Sequence, residues 1–236
     1  MTGLLFAHLI AQQLVFWIKK EWMNFTVVLI FLVNLLGIFI LPQYIYFNST
    51  KSFAVKSILP FLVLTAISSL IELIFIYFLK FDSYVWSKLY FIIEFLVFAA
   101  VFNRLLNKKF LVITVFFTAL FFSTYFYFFY ACENYPVLKV FGILYFIQFL
   151  FIILFVVLWF KEIFEKKEVQ SLLDLPLFYF VSGLLIYFSG TIFLFILSDE
   201  ILNAGLCLYY YWIVNLVLVL IFRIFLLLTI WKDRLI

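Results

Sequence analysis

Charged side chains are scarce in this chain of 236 residues: Asp, Glu, Lys and Arg make up 12% of it, against about 25% in a soluble domain. A water-facing globular surface is thereby excluded. With one histidine and two cysteines, nitrogen and sulfur donors are too few for a zinc site of common composition. The histidine, His8, lies near the start of the chain, so a membrane hydrolase built on a histidine base is not expected. There is no His-Glu-x-x-His, no glycine-rich phosphate loop and no Gly-x-Ser-x-Gly elbow. The last apolar run has no lysine before Lys232, which removes the usual anchor of a retinal Schiff base. We therefore expect no metal, no cofactor and no enzyme, with carboxylate acid–base chemistry on Glu72 and Glu94 the one route left open.

What the chain does have is apolar surface: 69% of it is hydrophobic and 25% aromatic. Seven apolar runs, about 25–46, 57–79, 86–106, 109–131, 137–160, 175–198 and 206–231, approach the roughly 20 residues that cross a bilayer as helix. The expected fold is an all-α integral membrane protein, a single domain over 1–236 formed by a seven-transmembrane-helix bundle. The stretch 3–18 is shorter and carries His8, Gln12 and Gln13, which reads as a short interfacial helix, an eighth span or an uncleaved signal-like segment. Lys51, Lys56, Arg104, Lys108, Lys109, Lys161, Lys166, Lys167, Lys232 and Arg234 fall on one side; Lys19, Lys20, Lys80, Lys88 and Lys139 fall on the other. Positive charge marks the cytoplasmic side, so the N-terminus is expected outside and the C-terminus inside. The net charge of +4 is then a topology signal, and no nucleic-acid partner is expected.

Cys132 and Cys207 both fall at outer ends of spans. They read either as small buried residues or as a disulfide, the latter if their Cα atoms come within about 7 Å. The longest loop, 161–174, alternates Lys161, Glu162, Glu165, Lys166, Lys167 and Glu168. This spacing predicts that the fifth span continues beyond the membrane as a solvated helix, an extension or a surface for a signalling partner.

Leu41-Pro42-Gln43 through Leu59-Pro60 aligns without gaps with 157–176, which ends in Leu175-Pro176, and Tyr90 to Glu94 resembles Tyr211 to Asn215. Segments of about 25–106 and 137–231 would then be parallel triple-helix repeats joined by the fourth span, a plan used by transporters. Gly37-Ile38-Phe39-Ile40-Leu41-Pro42-Gln43 with Lys51-Ser52 resembles the first half-motif of PQ-loop and SWEET-type proteins. The second copy has Leu158-Trp159 where that motif has Pro-Gln. The resemblance implies paired polar residues on the third helix of each bundle, where Glu94 and Asn215 stand. Leu89 to Leu96, Pro176 to Gly190 and Tyr211 to Lys232 resemble small seven-helix proteins of Bacteroidota. That likeness implies the same architecture, a bacterial inner membrane and an association with sensing.

Glu72 and Glu94 interrupt otherwise apolar runs, and a carboxylate in hydrocarbon costs several kcal/mol unless neutralised, hydrated or paired. Counting helical rise puts Glu72 roughly 10 Å and Glu94 roughly 12 Å below the outer boundary, with Asn34, Thr124, Gln148, Ser189 and Asn215 at roughly 10–15 Å. One polar layer drawn from all seven spans is expected. Thr65, Ser68, Ser69 and Glu72 share a helical face, as do Ser87, Tyr90 and Glu94, and Tyr211 and Asn215. These stripes should line an outward-opening polar chamber. Taken singly, Asn34, Gln148 and Ser189 read as hydrogen-bonding glue between helices, and Gly183 and Gly190 as close-packing positions. Arg223 is expected to snorkel inward, away from the layer. Glu72 and Glu94 are then left without a basic partner, to be protonated, to share a proton or to hold a cationic ligand.

The candidate ligand- or proton-binding residues are Glu72, Glu94, Asn215, Gln148, Tyr90, Ser69 and Asn34. The leading functional expectation is a small-ligand sensor or signalling component of the membrane with a cytoplasmic or membrane partner. The alternatives are a SWEET-like facilitator or proton-coupled transporter, and a structural subunit of a membrane complex.

Overall fold

The computed structural model describes residues 20–47, 52–74, 83–131, 136–166, 171–203 and 208–234. The stretch 3–18, Cys132 and Cys207, and part of the 161–174 loop lie outside the described residues. The described chain is helical because an apolar run in hydrocarbon must satisfy its backbone groups internally. Its helices are α1 (Lys20–Tyr46), α2 (Phe53–Ser57), α3 (Leu59–Ile71), α4 (Ser83–Leu105), α5 (Leu111–Phe126), α6 (Val137–Lys166), α7 (Pro176–Ile196), α8 (Ser198–Asn203) and α9 (Leu208–Arg234). A wide turn continues α3 over 72–74, and another continues α5 over Tyr127–Ala131. Pro60 and Pro176 occupy first turns, where a missing N–H is harmless. Pro42 lies inside α1.

Six helices are long and apolar enough to cross a membrane, and the shorter apolar helix Leu59–Ile74 accompanies them. This is a polytopic membrane protein. Large exposed side chains such as Val112 and Phe116 on α5 are what a lipid-facing surface requires. As the charge spacing predicts, α6 runs past the apolar segment as far as Lys166.

The spanning helices and α3 pack in chain order, each on the next, and α9 closes the ring onto α1. The α7–α9 interface is the most extensive, and both glycines of α7 explain it. A side chain on Gly183 would meet Phe225 Cβ at 2.7 Å, and one on Gly190 would meet Leu218 Cδ1 at 2.7 Å. Both are close-packing positions.

Polar ties gather at one end of the ring. Ser52 caps α2 and is itself clamped by buried Asp233 of α9: its hydroxyl donates to Oδ1 at 2.6 Å and its N–H to Oδ2 at 3.2 Å. Lys232 pairs with Asp174 at 3.0 Å, and Lys109 pairs with Glu162. The α1–α3, α4–α5 and α6–α7 connections and the end of α9 therefore share one end, called here the belt. Next to it sits an aromatic core in which Phe61 stacks on Phe98 at 4.9 Å and packs on Phe222 at 5.6 Å.

Candidate functional site

The Phe61–Phe98 stack sets the register between α3, which runs away from the belt, and α4, which runs toward it. Thr65 and Glu94 each lie one turn farther from the belt than that stack, and they face the same cavity. Glu72 is seven residues beyond Thr65, which places it about 10 Å farther out than Glu94. The two glutamates thus form two tiers rather than the single level expected from depth counting. Counting from helix ends fails because ends stagger, whereas ring stacking measures the register directly.

In the inner tier Glu94 is buried, and both its oxygens are engaged. Tyr90, one turn earlier on α4, donates its hydroxyl to Oε1 at 2.8 Å, and Gln148 of α6 donates its amide to Oε2 at 3.0 Å. Tyr145 hydrogen-bonds Thr191, whose own hydroxyl donates to the Tyr187 carbonyl at 2.8 Å, so the Tyr145 hydroxyl is the donor of that pair. The cavity beneath Tyr90 offers about 20 Å³ to the centre of a water molecule. That is room for one or two waters, since one occupies roughly 10–15 Å³ on this measure. Thr65, Tyr90, Glu94, Tyr187 and Arg223 form its polar lining, and Phe61, Phe222 and Leu226 are among its apolar walls.

The outer tier holds Glu72, Asn34 and the stripe below them. Thr65, Ser68, Ser69 and Glu72 are all buried, as the shared face predicts. The hydroxyls, however, are spent on their own helix: Ser69 donates to the Thr65 carbonyl at 2.7 Å and Thr65 to that of Phe61 at 2.9 Å. Asn34 lies beside Glu72, yet neither of its amide atoms reaches bonding geometry with a protein partner. Glu72 Oε1, Gln148 Oε1 and both amide atoms of Asn215 are likewise buried without a protein partner. Buried polar atoms are almost always bonded, so this concentration on four helices is unusual.

Arg223 corrects the expectation of an inward snorkel. It is 2% exposed, and Nη1 donates to the Val33 carbonyl of α1. Its charge faces Glu72, Tyr90 and Tyr187. Gly37 makes this possible: a side chain there would meet Nη1 at 2.6 Å and Cζ at 2.8 Å, and would also strike Ser69 Oγ. The guanidinium therefore lies across the bare backbone of α1, turned toward the acidic tiers. Glu72 does have a basic neighbour, one that span-by-span counting cannot find.

Two other members of the expected layer, Ser189 and Thr124, and the stripe residue Tyr211 point elsewhere. Ser189 is exposed and donates to its own helix at Leu185, 2.5 Å away. Thr124 does the same with Leu120 at 2.8 Å, and Tyr211 is 39% exposed while Asn215 is buried. The inward face of α7 instead carries Tyr187 and Thr191, buried at the spacing of Phe180, Gly183 and Leu184. That periodicity was the available signal for them. No protein-family model matches the chain, and neither the curated proteins nor the solved structures include a significant match. Among the described residues, no group of three or more His, Cys, Asp or Glu is placed to hold a metal ion.

Proposed function

We propose that this polytopic protein is a membrane sensor whose stimulus is received in the two-tier polar core and read at the belt. The observation that carries this reading is the set of buried, unpartnered polar atoms on Asn34, Glu72, Gln148 and Asn215. Such atoms are costly unless a bound species or a second conformation satisfies them. The helices that bear them run to the belt, where the Asp233–Ser52 clamp and the two ion pairs tie the connecting segments together. A ligand that favours one arrangement of the core would shift those ties. Under this reading all seven helices span a bacterial inner membrane, with the N-terminus outside and the belt in the cytoplasm beside a signalling partner. The distribution of Lys and Arg and the resemblance to seven-helix proteins of Bacteroidota support that arrangement.

A facilitator or proton-coupled transporter is the second reading. Glu94 and Asn215, both buried, occupy the third helices of the two proposed repeats, and Pro42 inside α1 offers a point of helix motion. The deciding experiment uses full-length protein in proteoliposomes with spin labels at Arg104 and Lys161, both exposed at the belt end. Sensing requires the label distance to differ between wild type and Glu72→Gln, with no flux of labelled solutes. Flux that follows a pH gradient would move the assignment to transport. An unchanged distance without flux would remove the sensing reading.

A further inference from the structure

We infer that Glu94 is a proton-binding site, its carboxyl held by Tyr90 and Gln148 in both its ionised and its protonated form. The inference deepens the sensing reading by naming the stimulus as a proton. It begins with a charge count: among the described residues, the core around the cavity buries two carboxyls, Glu72 and Glu94, and one guanidinium, Arg223. Arg223 answers Glu72, whose field it shares. Among the described residues, the hydrogen bonds to Glu94 come from two neutral donors, Tyr90 and Gln148.

The surroundings favour a proton over a metal cation. The other groups facing Glu94 are Thr65 of α3, Tyr187 of α7, Tyr145 of α6 and Arg223 of α9. Arg223 supplies a fixed positive wall to the cavity, which opposes a metal cation beside it. The space suits water, through which a proton arrives. Gln148 is built to accept either state of the carboxyl. With Glu94 ionised, its Nε2 donates to Oε2; with Glu94 protonated, the amide turns and its now unpartnered Oε1 accepts the new O–H. Binding forms one O–H bond on Glu94 from a hydronium in the cavity and leaves water, so atoms and charge balance.

Infrared spectroscopy of full-length protein in lipid nanodiscs tests this without any assay of signalling, so its failure is distinct from failure of the sensing reading. At neutral pH one protonated-carboxyl C=O band is expected. It should be lost in Glu94→Gln, shifted in Glu94→Asp, retained when Glu72→Leu and Arg223→Leu are made together so that no cation is freed, and moved to higher frequency in Gln148→Leu as its hydrogen bond goes. Replacing choline chloride by sodium chloride should leave it in place. Absence of the band in wild type, its loss in the Glu72→Leu, Arg223→Leu double variant but not in Glu94→Gln, or its displacement by sodium would each overturn the assignment.

Discussion

Arg223 shows how one side chain changes the account of two others. An arginine near the centre of a bilayer costs about 2.5–3.5 kcal/mol on insertion scales unless it finds partners. Here it finds the Val33 carbonyl and the field of Glu72. Removing one member of a buried pair costs about 3–5 kcal/mol, because the other charge is left behind. Arg223→Leu should therefore destabilise the protein by about that amount, and adding Glu72→Leu should recover much of the loss. Thermal unfolding of the two single variants and the double variant forms the cycle, and additive losses would mean the charges are not coupled. Gly37→Ala tests the same contact from α1. Its new methyl would strike the guanidinium and the Ser69 hydroxyl, with an overpacking cost of about 1–3 kcal/mol. Truncating the arginine in the same chain should relieve the guanidinium's share of that cost and leave the Ser69 share, which a stability measurement would register as partial non-additivity. Glu72 and Glu94 were legible from sequence because acids stand out in apolar runs. The direction of Arg223 was not, since it depends on a bare patch of α1 that only packing brings alongside.

Helix positions were legible where apolar runs are long and are bounded by charge or by proline in a first turn. The faces were less so. Thr65, Ser68, Ser69 and Glu72 do share a buried stripe, but Ser189 lies on the outward face of α7, two residues from Tyr187 and therefore on nearly the opposite side. Its hydroxyl satisfies itself on its own helix, so its polarity carried no information about which way it faced. The glycines divide by what opposes them. At Gly142 a side chain would meet the Phe195 carbonyl oxygen at 2.8 Å, whereas at Gly190 it would meet the end of Leu218. Backbone of α7 cannot swing aside as a leucine tip can. Gly142→Ala should therefore cost more than Gly190→Ala, within the span of about 1–3 kcal/mol typical of overpacking. Paired melting curves settle the order, and equal losses would mean that α6 and α7 part more easily than their contact implies.

At the scale of the whole molecule, the weakest element is the one that decides the topology. The helix Leu59–Ile74 has 16 residues, about 24 Å of rise against roughly 30 Å of hydrocarbon, so its length alone does not distinguish a crossing from a re-entrant segment. The belt supplies the missing argument. Ser52 is held to Asp233 at the end of α9, and Lys109 to Glu162, so the start of α3 and the end of α4 lie at one end of the bundle. Since α4 is of spanning length, its start lies at the other end, so the chain between Ser52 and Val85 joins the two ends and a crossing by α3 is the expected outcome. Lys56 and Val85 are both exposed near those opposite ends. With Cys132 and Cys207 replaced by serine, Val85→Cys should react with a membrane-impermeant thiol reagent in intact cells. Lys56→Cys should react only after permeabilisation. Labelling of both from outside would make α3 re-entrant, and the reverse pattern would place the belt outside. The expected pattern would put the polar core between an outer mouth and a cytoplasmic belt, the arrangement a sensor of outside conditions requires.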